Sequence, residues 1–516
     1  MTAQEEVYQK AEELSSEFNY KAKEVSIILA AGHGKRIKSH RSKMLHAIWG
    51  STTVERVFNA SNLGIPEVNS ILVAGIKAAD VMSVIGKRPQ TLFAYQAEQK
   101  GTGHAVQVAL EKIDEKKFDG NVFVFPGDMG LINKETVAMF RNAFISSKSD
   151  MMVLTGIFEG NSSENSYGRI IRVKEKDVDG MPIPNSSQRE GNNSSLFGGS
   201  EGGFGNVIEI KEYKDILSLP DDKPYLLKYK GKTFAYTKQE LIENREFNSG
   251  VYAFDYKKLV AQIKNLGSEN AQNEIYITDL ISLFNKSGYS VSAISPDDHN
   301  VVMGFNDKSV LKEMENIYRK KVYDKLKNII EIDDHEDFFI DESVVENILE
   351  MDGNGTPLDI RIGKGAYIGK GVKLNYNLNL KKNVFVDGNV TFGKNVHVWE
   401  NVHLSTFAHQ KLVIGDGVEI LWGDIIKGNI EIGENTKIES SVNMTGSDEF
   451  PVSIGKNVLI KGTSYIFGCT IEDDIYIEHS VLIRKKITRL VKRNGEVQRI
   501  RFFLPMPSGI DAIENL

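Results

Sequence analysis

At 516 residues the chain is longer than one hydrophobic core organises, so two or more domains are expected. Lys plus Arg total 63 against 70 Asp plus Glu, and the formal charge of −7 excludes a generally basic nucleic-acid or membrane-surface binder. One cysteine, Cys469, excludes an internal disulfide and fits a reducing compartment. No apolar run approaches the ~20 residues that span a bilayer, and the acidic, amphipathic start MTAQEEVYQKAEELSSEF does not read as a signal peptide. A cytoplasmic location is the expectation.

Residues 1–22 predict a leading helix. Over 23–306 short apolar runs alternate with helical patterns: VSIILAA, TTVERVFNAS, SILVAG, GHAVQVALEKI and NVFVFPGD. That alternation predicts βαβ units on a largely parallel sheet, a Rossmann-like α/β domain. Two insertions interrupt it. Residues 178–205, containing NSSQREGNNSSLFGGSEGGFG, read as a flexible surface segment, and 218–246 carry the strand-like YLLKYKGKTFAY. Residues 307–331 are charged and helix-forming, and predict a connecting helix of roughly six turns.

After it the period becomes six. Ile362, Ile368, Leu374, Leu380, Val386, Phe392, Val398 and Leu404 hold one phase; Ile414, Ile420, Ile426, Ile432, Ile438 and Met444 hold a second. A third runs through Ile454, Ile460 and Ile466 and, after a slip, Ile471, Ile477 and Ile483. Six residues fit one side of a three-sided coil, so 332–487 predict a left-handed parallel β-helix with loops at 405–413 and 445–453. Residues 488–516 predict a hairpin at the Asn494-Gly495 turn and a polar tail.

The chemistry begins at ILAAGHGKRIKSHRSK, residues 28–43. Ile37 stands where a dinucleotide fingerprint needs its third glycine, and Lys35 is followed by Arg36 where a P-loop needs Ser or Thr. Two readings stay open: a nest of backbone amides that holds phosphates, or a purely structural turn.

Further motifs follow in order: QAEQKGTGHAV (96–106), PGDMGLI (126–132), YGRI (167–170), EYKD (212–215), NSGVYAF (248–254), NEIYITDLI (273–281) and MGFND (303–307). Together with LAAGHGKRIKS they resemble sugar-1-phosphate nucleotidyltransferases. With the solenoid, the chain resembles the bacterial UDP-N-acetylglucosamine pyrophosphorylase family, whose members are bifunctional uridylyltransferases and acetyltransferases. The resemblance implies Mg²⁺-dependent uridylyl transfer from UTP to N-acetylglucosamine-1-phosphate, releasing pyrophosphate for cell-wall precursor synthesis, in a homotrimer built through the β-helix.

It implies Asp128 and Asn306 as metal ligands, and Arg36 and Lys43, with Asp128, as the catalytic set around the phosphates. Leu29, Ala30, Gly32, Gly34, Gln96, Gly101 and Thr102 would hold the nucleotide. Gly168, Glu212, Asn248, Tyr276 and Thr278 would hold the sugar phosphate, with Glu209 as the rival to Glu212. Lys35 is expected to face solvent, and His104 to orient the helix after GTG.

The chain also departs from the family. Ser42-Lys43 replaces Pro-Lys, and Met129-Gly130 replaces the x-Pro after the metal aspartate, loosening each loop by about 1 kcal/mol while sparing every charge. The acetyltransferase segment NYDG is missing. His397, His403 and His409 recur every six residues, so they should point from three different sides as exposed residues rather than converge. The expectation is an assembling solenoid without acetyltransferase activity. A surviving acetyltransferase, another sugar-1-phosphate as substrate, and a non-catalytic regulatory subunit are the alternatives.

Overall fold

The computed structural model describes residues 2–32, 34–183, 205–270 and 272–502. The Gly/Ser/Asn-rich insertion lies mostly outside the described residues, at 184–204, as does the tail 503–516. The chain forms two compact units, Met1–Met314 and Glu315–Leu516.

The first unit is built on one sheet. Its central strand Glu24–Ala30, fully apolar but for Glu24 and Ser26, lies parallel between Asn69–Ala74 and Asn121–Pro126. Thr91–Tyr95 extends the sheet on one side. On the other, Glu246–Asp255 runs antiparallel to Asn121–Pro126 and to Met151–Ile157, and Val291–Ile294 closes the edge. The strands read as continuous apolar runs because helices cover both faces, with Phe58, Phe93, Phe140 and Phe144 in one core layer and Phe118, Tyr256 and Phe284 in the other. The chain order reverses about Glu24–Ala30, and in such sheets ligands bind beyond the carboxyl ends of the strands at that reversal. The sequence of 218–246 forms a hairpin, Tyr225–Tyr229 with Lys232–Tyr236, over its own small core around Ile216 and Phe234. The leading helix Ala3–Leu14 carries a capping box of Thr2 and Glu5 and sets Tyr8 edge-on to Tyr95 at 5.2 Å.

The second unit is a parallel β-helix. Its three sheets of eight, eight and six strands are the three sides of the coil, and the hexad apolar residues from Ile362 to Ile477 turn inward. The helix Lys308–Leu326 leads in. Two features were not legible in the period. A helix, Glu342–Asp352, takes the place of a third strand in the first coil, and the second coil joins the third side only through Lys373, whose amide donates to the carbonyl of Val390 at 2.8 Å. Near the end the frame slips once more: Leu482 is buried, whereas Ile483 is 40% exposed.

Outward residues also stack from coil to coil. Phe339, Tyr367, Phe385 and His403 form a ladder with ring centroids 4.5, 4.8 and 4.6 Å apart. His403 is therefore half-buried, which corrects its reading as an exposed surface residue; stacking on Phe385 is the reason. His397 lies on a different sheet, and His409, in the loop beyond, has Nε2 2.8 Å from the Asp448 carboxylate, so the three do not converge. Among the described residues no helix is long and apolar enough to cross a membrane.

A carboxylate stands at one inward position of the described coils, in which Thr436, Ser464 and Ser480 are uncharged polar exceptions. Asp424 precedes Ile425 as Val402 precedes His403 and Val442 precedes Asn443 in the neighbouring coils, and it is fully buried. Oδ1 accepts the amide of Val442 at 2.7 Å, while Oδ2 has no partner, and burial pushes the carboxyl up to about 8. The unfolded chain loses that proton near pH 4, so the folded form holds more protons between about 4 and 8, and stability falls as pH rises through that window. Asp424→Asn is expected to flatten the fall and to stabilise the protein at pH 8 by about 1–3 kcal/mol, with little gain near pH 4. Calorimetric midpoints of both proteins at the two pH values check this; an equal shift at both would refute it.

Candidate active site

Three strand ends supply the site. The turn after Glu24–Ala30 enters the left-handed region at Gly34 (φ +55°), and continues as a single 3₁₀ turn, Lys35–Ile37, where a longer helix is the usual successor. Gly34 is required by packing as well as by φ. A side-chain carbon there would lie 2.8 Å from Lys43 Cβ, so the stem of Lys43 rests on the glycine turn. Arg36 is exposed, close enough for its charge to be felt by Tyr167 and Asp307. The side chain of Lys35 lies outside what is described.

Asp128 follows the strand Asn121–Pro126, and Asn306 follows the buried Phe305. Lys43 joins them: its ammonium donates to Asp128 Oδ2 and, at 3.1 Å, to Asn306 Oδ1, and it sits 5.2 Å from the centre of the Phe305 ring. The Lys43 side chain is 8% exposed and that of Asp128 18%, so water screens the pair weakly. One carboxylate oxygen and one amide oxygen thus face a single cationic atom. That is the donor chemistry Mg²⁺ takes from proteins, two oxygens with the remainder of the shell left to phosphates and water. Among the described residues no group of three or more His, Cys, Asp or Glu is placed to hold a metal.

The expected nucleotide contacts form a second group. Leu29 and Ala30 end the central strand, and Gly32 follows beside Met44. The Gln96 amide donates to the carbonyl of Gly101 at 3.2 Å and lies 3.0 Å from His104 Nδ1. His104 therefore braces the loop 96–101, whereas the sequence suggested only that it orients the helix after GTG. Thr102 Oγ1 accepts the amide of Ile277 at 3.2 Å, and the amide of Gly103 donates to the carbonyl of Ile275 at 2.8 Å. The loop is thereby fastened to the segment that carries Tyr276 and Thr278.

The expected sugar contacts form the third. The Asn248 amide donates to the carbonyl of Gly168 at 2.9 Å, and Asn248 Oδ1 accepts from the Tyr252 hydroxyl at 2.9 Å. Glu212 closes against Gly168, where an added carbon would lie 3.1 Å from Oε1. Glu212, Tyr276 and Thr278 line a cavity of about 300 Å³ together with Glu209, Asp215 and Asp279. Burial, helped by Asp215 and Asp279, pushes Glu212 up to about 7. Asp279 is raised by burial and by Asp215, and Glu209 by burial against the opposing pull of the Tyr225 hydroxyl. Glu209 accepts that hydroxyl at 2.7 Å, which leaves Glu212 as the carboxylate facing Gly168. The hydroxyl of buried Thr278 has no protein partner.

Tyr167 was not singled out in the sequence, although it opens YGRI. Its ring stacks on Phe247 at 4.6 Å and its hydroxyl donates to the carbonyl of Gly304 at 2.7 Å, two residues before Asn306. Burial and the Asp128 charge raise its pKa to about 12. It ties the loop that carries Asn306 to the strand residue Phe247.

Residues 26–161 match the family model of the MobA-like NTP transferase domain. The bifunctional protein GlmU of Acetivibrio thermocellus is 31% identical over 322 residues, 62% of this chain and 57% of that one. The same-named protein of Streptococcus uberis is 32% identical over 297 residues, 58% of this chain and 52% of that one. These likenesses agree with the family read from the motifs, although the chain spans little more than half the length of those relatives. A solved UDP-glucose pyrophosphorylase complexed with UDP-glucose aligns over 58% of this chain and all of its own at 13% identity, with a TM-score of 0.39.

Gly101 offers a direct check of the loop. Its φ of +114° disfavours any side chain, and an added carbon would lie 2.5 Å from the carbonyl oxygen of Ile275. Gly101→Ala is expected to destabilise the first unit by about 2 kcal/mol or more and to release the 275–278 segment. Thermal unfolding and protease sensitivity near Ile275 measure it, and wild-type values for both would contradict this packing.

Proposed function

We propose that the first unit transfers a uridylyl group from UTP to N-acetylglucosamine-1-phosphate, releasing pyrophosphate, with Mg²⁺ held by Asp128 and Asn306. The observation that carries the reading is the convergence of Asp128, Asn306 and Lys43 at the carboxyl edge of the sheet, beside a glycine turn. Both substrates are anions, so the task is to bring a sugar phosphate oxygen in line with the α-phosphorus against charge repulsion. Positioning and neutralisation supply the acceleration, without a covalent intermediate. Bound Mg²⁺ would supply neutralisation of phosphate charge. Arg36 and Lys43 would add cations to the phosphates, and the loop of Gln96, Gly101 and Thr102 would hold uracil against backbone and amide groups. Glu212, Asn248, Tyr276 and Thr278 would orient the sugar, the free Thr278 hydroxyl taking one of its oxygens. The solenoid would assemble three chains; sedimentation of the full-length protein tests that at three times 57.7 kDa.

Pyrophosphate release from UTP and a panel of sugar-1-phosphates, with glucosamine-1-phosphate plus acetyl-CoA in parallel, tests the reaction. N-acetylglucosamine-1-phosphate should give the highest kcat/KM, and Asp128→Asn should cost at least about 100-fold in turnover when assayed below its lowered unfolding midpoint, where circular dichroism shows it folded. Silence with every sugar would sink the proposal.

Glu212 adds a pH dependence. With its pKa at about 7, the carboxylate that accepts sugar hydroxyls is the majority form only above that value. KM for the sugar phosphate is expected to rise as pH falls from about 8 to about 6, and Glu212→Gln should remove the part of that rise due to this group. Superimposable KM profiles for the two proteins would show that Glu212 does not meet the sugar.

A further inference from the structure

The side chain of Lys43 spans two parts of the site. Its stem is packed on Gly34 in the glycine turn, while its ammonium is bonded to Asp128 and Asn306 and lies over Phe305. The oxygens that hold this ammonium are the ones read above as ligands for a divalent cation. A divalent cation drawn to Asp128 Oδ2 and Asn306 Oδ1 repels the ammonium already held there, and strongly so in a site this little exposed to water.

We propose that Lys43 is a resident counter-ion of the metal pair, and that a divalent cation displaces its ammonium towards the glycine turn, where it becomes available to substrate phosphates. The proposal rests on the reading of Asp128 and Asn306 as metal ligands. The stem contact at Gly34 anchors the near end of the side chain, so displacement moves only its distal part and leaves the chain fold unchanged. Metal binding and phosphate recognition are then coupled through one side chain. Without the metal, the positive charge stays on Asp128 and Asn306, and the glycine turn lacks it.

The test is Mn²⁺ affinity of the nucleotide-free, full-length protein, read by electron paramagnetic resonance of the free ion. Lys43→Met should bind Mn²⁺ at least about tenfold more tightly than wild type, the size of a charge-assisted hydrogen bond no longer to be broken. Equal or weaker binding overturns the proposal. Asp128→Asn should lose the site. If that variant binds as wild type does, the metal reading itself falls and takes the proposal with it; if it loses binding while Lys43→Met equals wild type, only the proposal falls. A second measurement needs no variant. Labelling of Lys43 by an amine-acylating reagent, followed by mass spectrometry, should rise severalfold when Mg²⁺ is added without nucleotide, and unchanged labelling would overturn the displacement.

Discussion

The ammonium of Lys43 ties together segments separated by 85 and 263 positions in the chain. It can do so because parallel strands deliver their carboxyl ends to one edge, so that the turn after Ala30 and the loop after Pro126 face each other. A carboxylate and an ammonium this far from water need each other; removing either leaves an uncompensated charge that costs several kcal/mol. The glycine turn, the metal-type pair and Phe305 are held in register by that requirement. An apolar cluster would be the easier way to stabilise the edge, and that cost is what the proposed metal and phosphate roles would explain.

The cavity next to it works by different electrostatics. Glu209, Glu212, Asp215 and Asp279 gather with Lys211 among them, and burial together with mutual repulsion pushes Glu212 into the neutral range. Tyr167 stacks on Phe247 and bonds Gly304, two residues before Asn306. Its own raised pKa keeps the hydroxyl protonated, and hence a donor, throughout the physiological range.

The solenoid draws its stability from repetition. Its inward hexads hide aliphatic side chains coil after coil, and its outward rings stack in a ladder that adds contacts between successive turns. Against this regularity the deviations stand out. Asp424 takes an apolar place, and the loop holding His409 is tied to Asp448 thirty-nine positions on.

The sequence by itself determined what is periodic or local. Alternating apolar runs specified the sheet of the first unit, the period of six specified the coil of the second, and motifs such as PGDMGLI and MGFND marked Asp128 and Asn306 before any geometry was known. What it left open depends on contacts distant along the chain. Nothing in MGFND indicates that Asn306 meets Lys43, that Tyr167 bonds Gly304, or that Glu212 rather than Glu209 faces Gly168. The slip to Leu482 and the helix Glu342–Asp352 were hidden for the same reason, since a period shows which residues turn inward only while the coil keeps its step. Apolar periodicity is set by burial and reads along the chain; charge placement and protonation are set by neighbours the tertiary fold alone supplies.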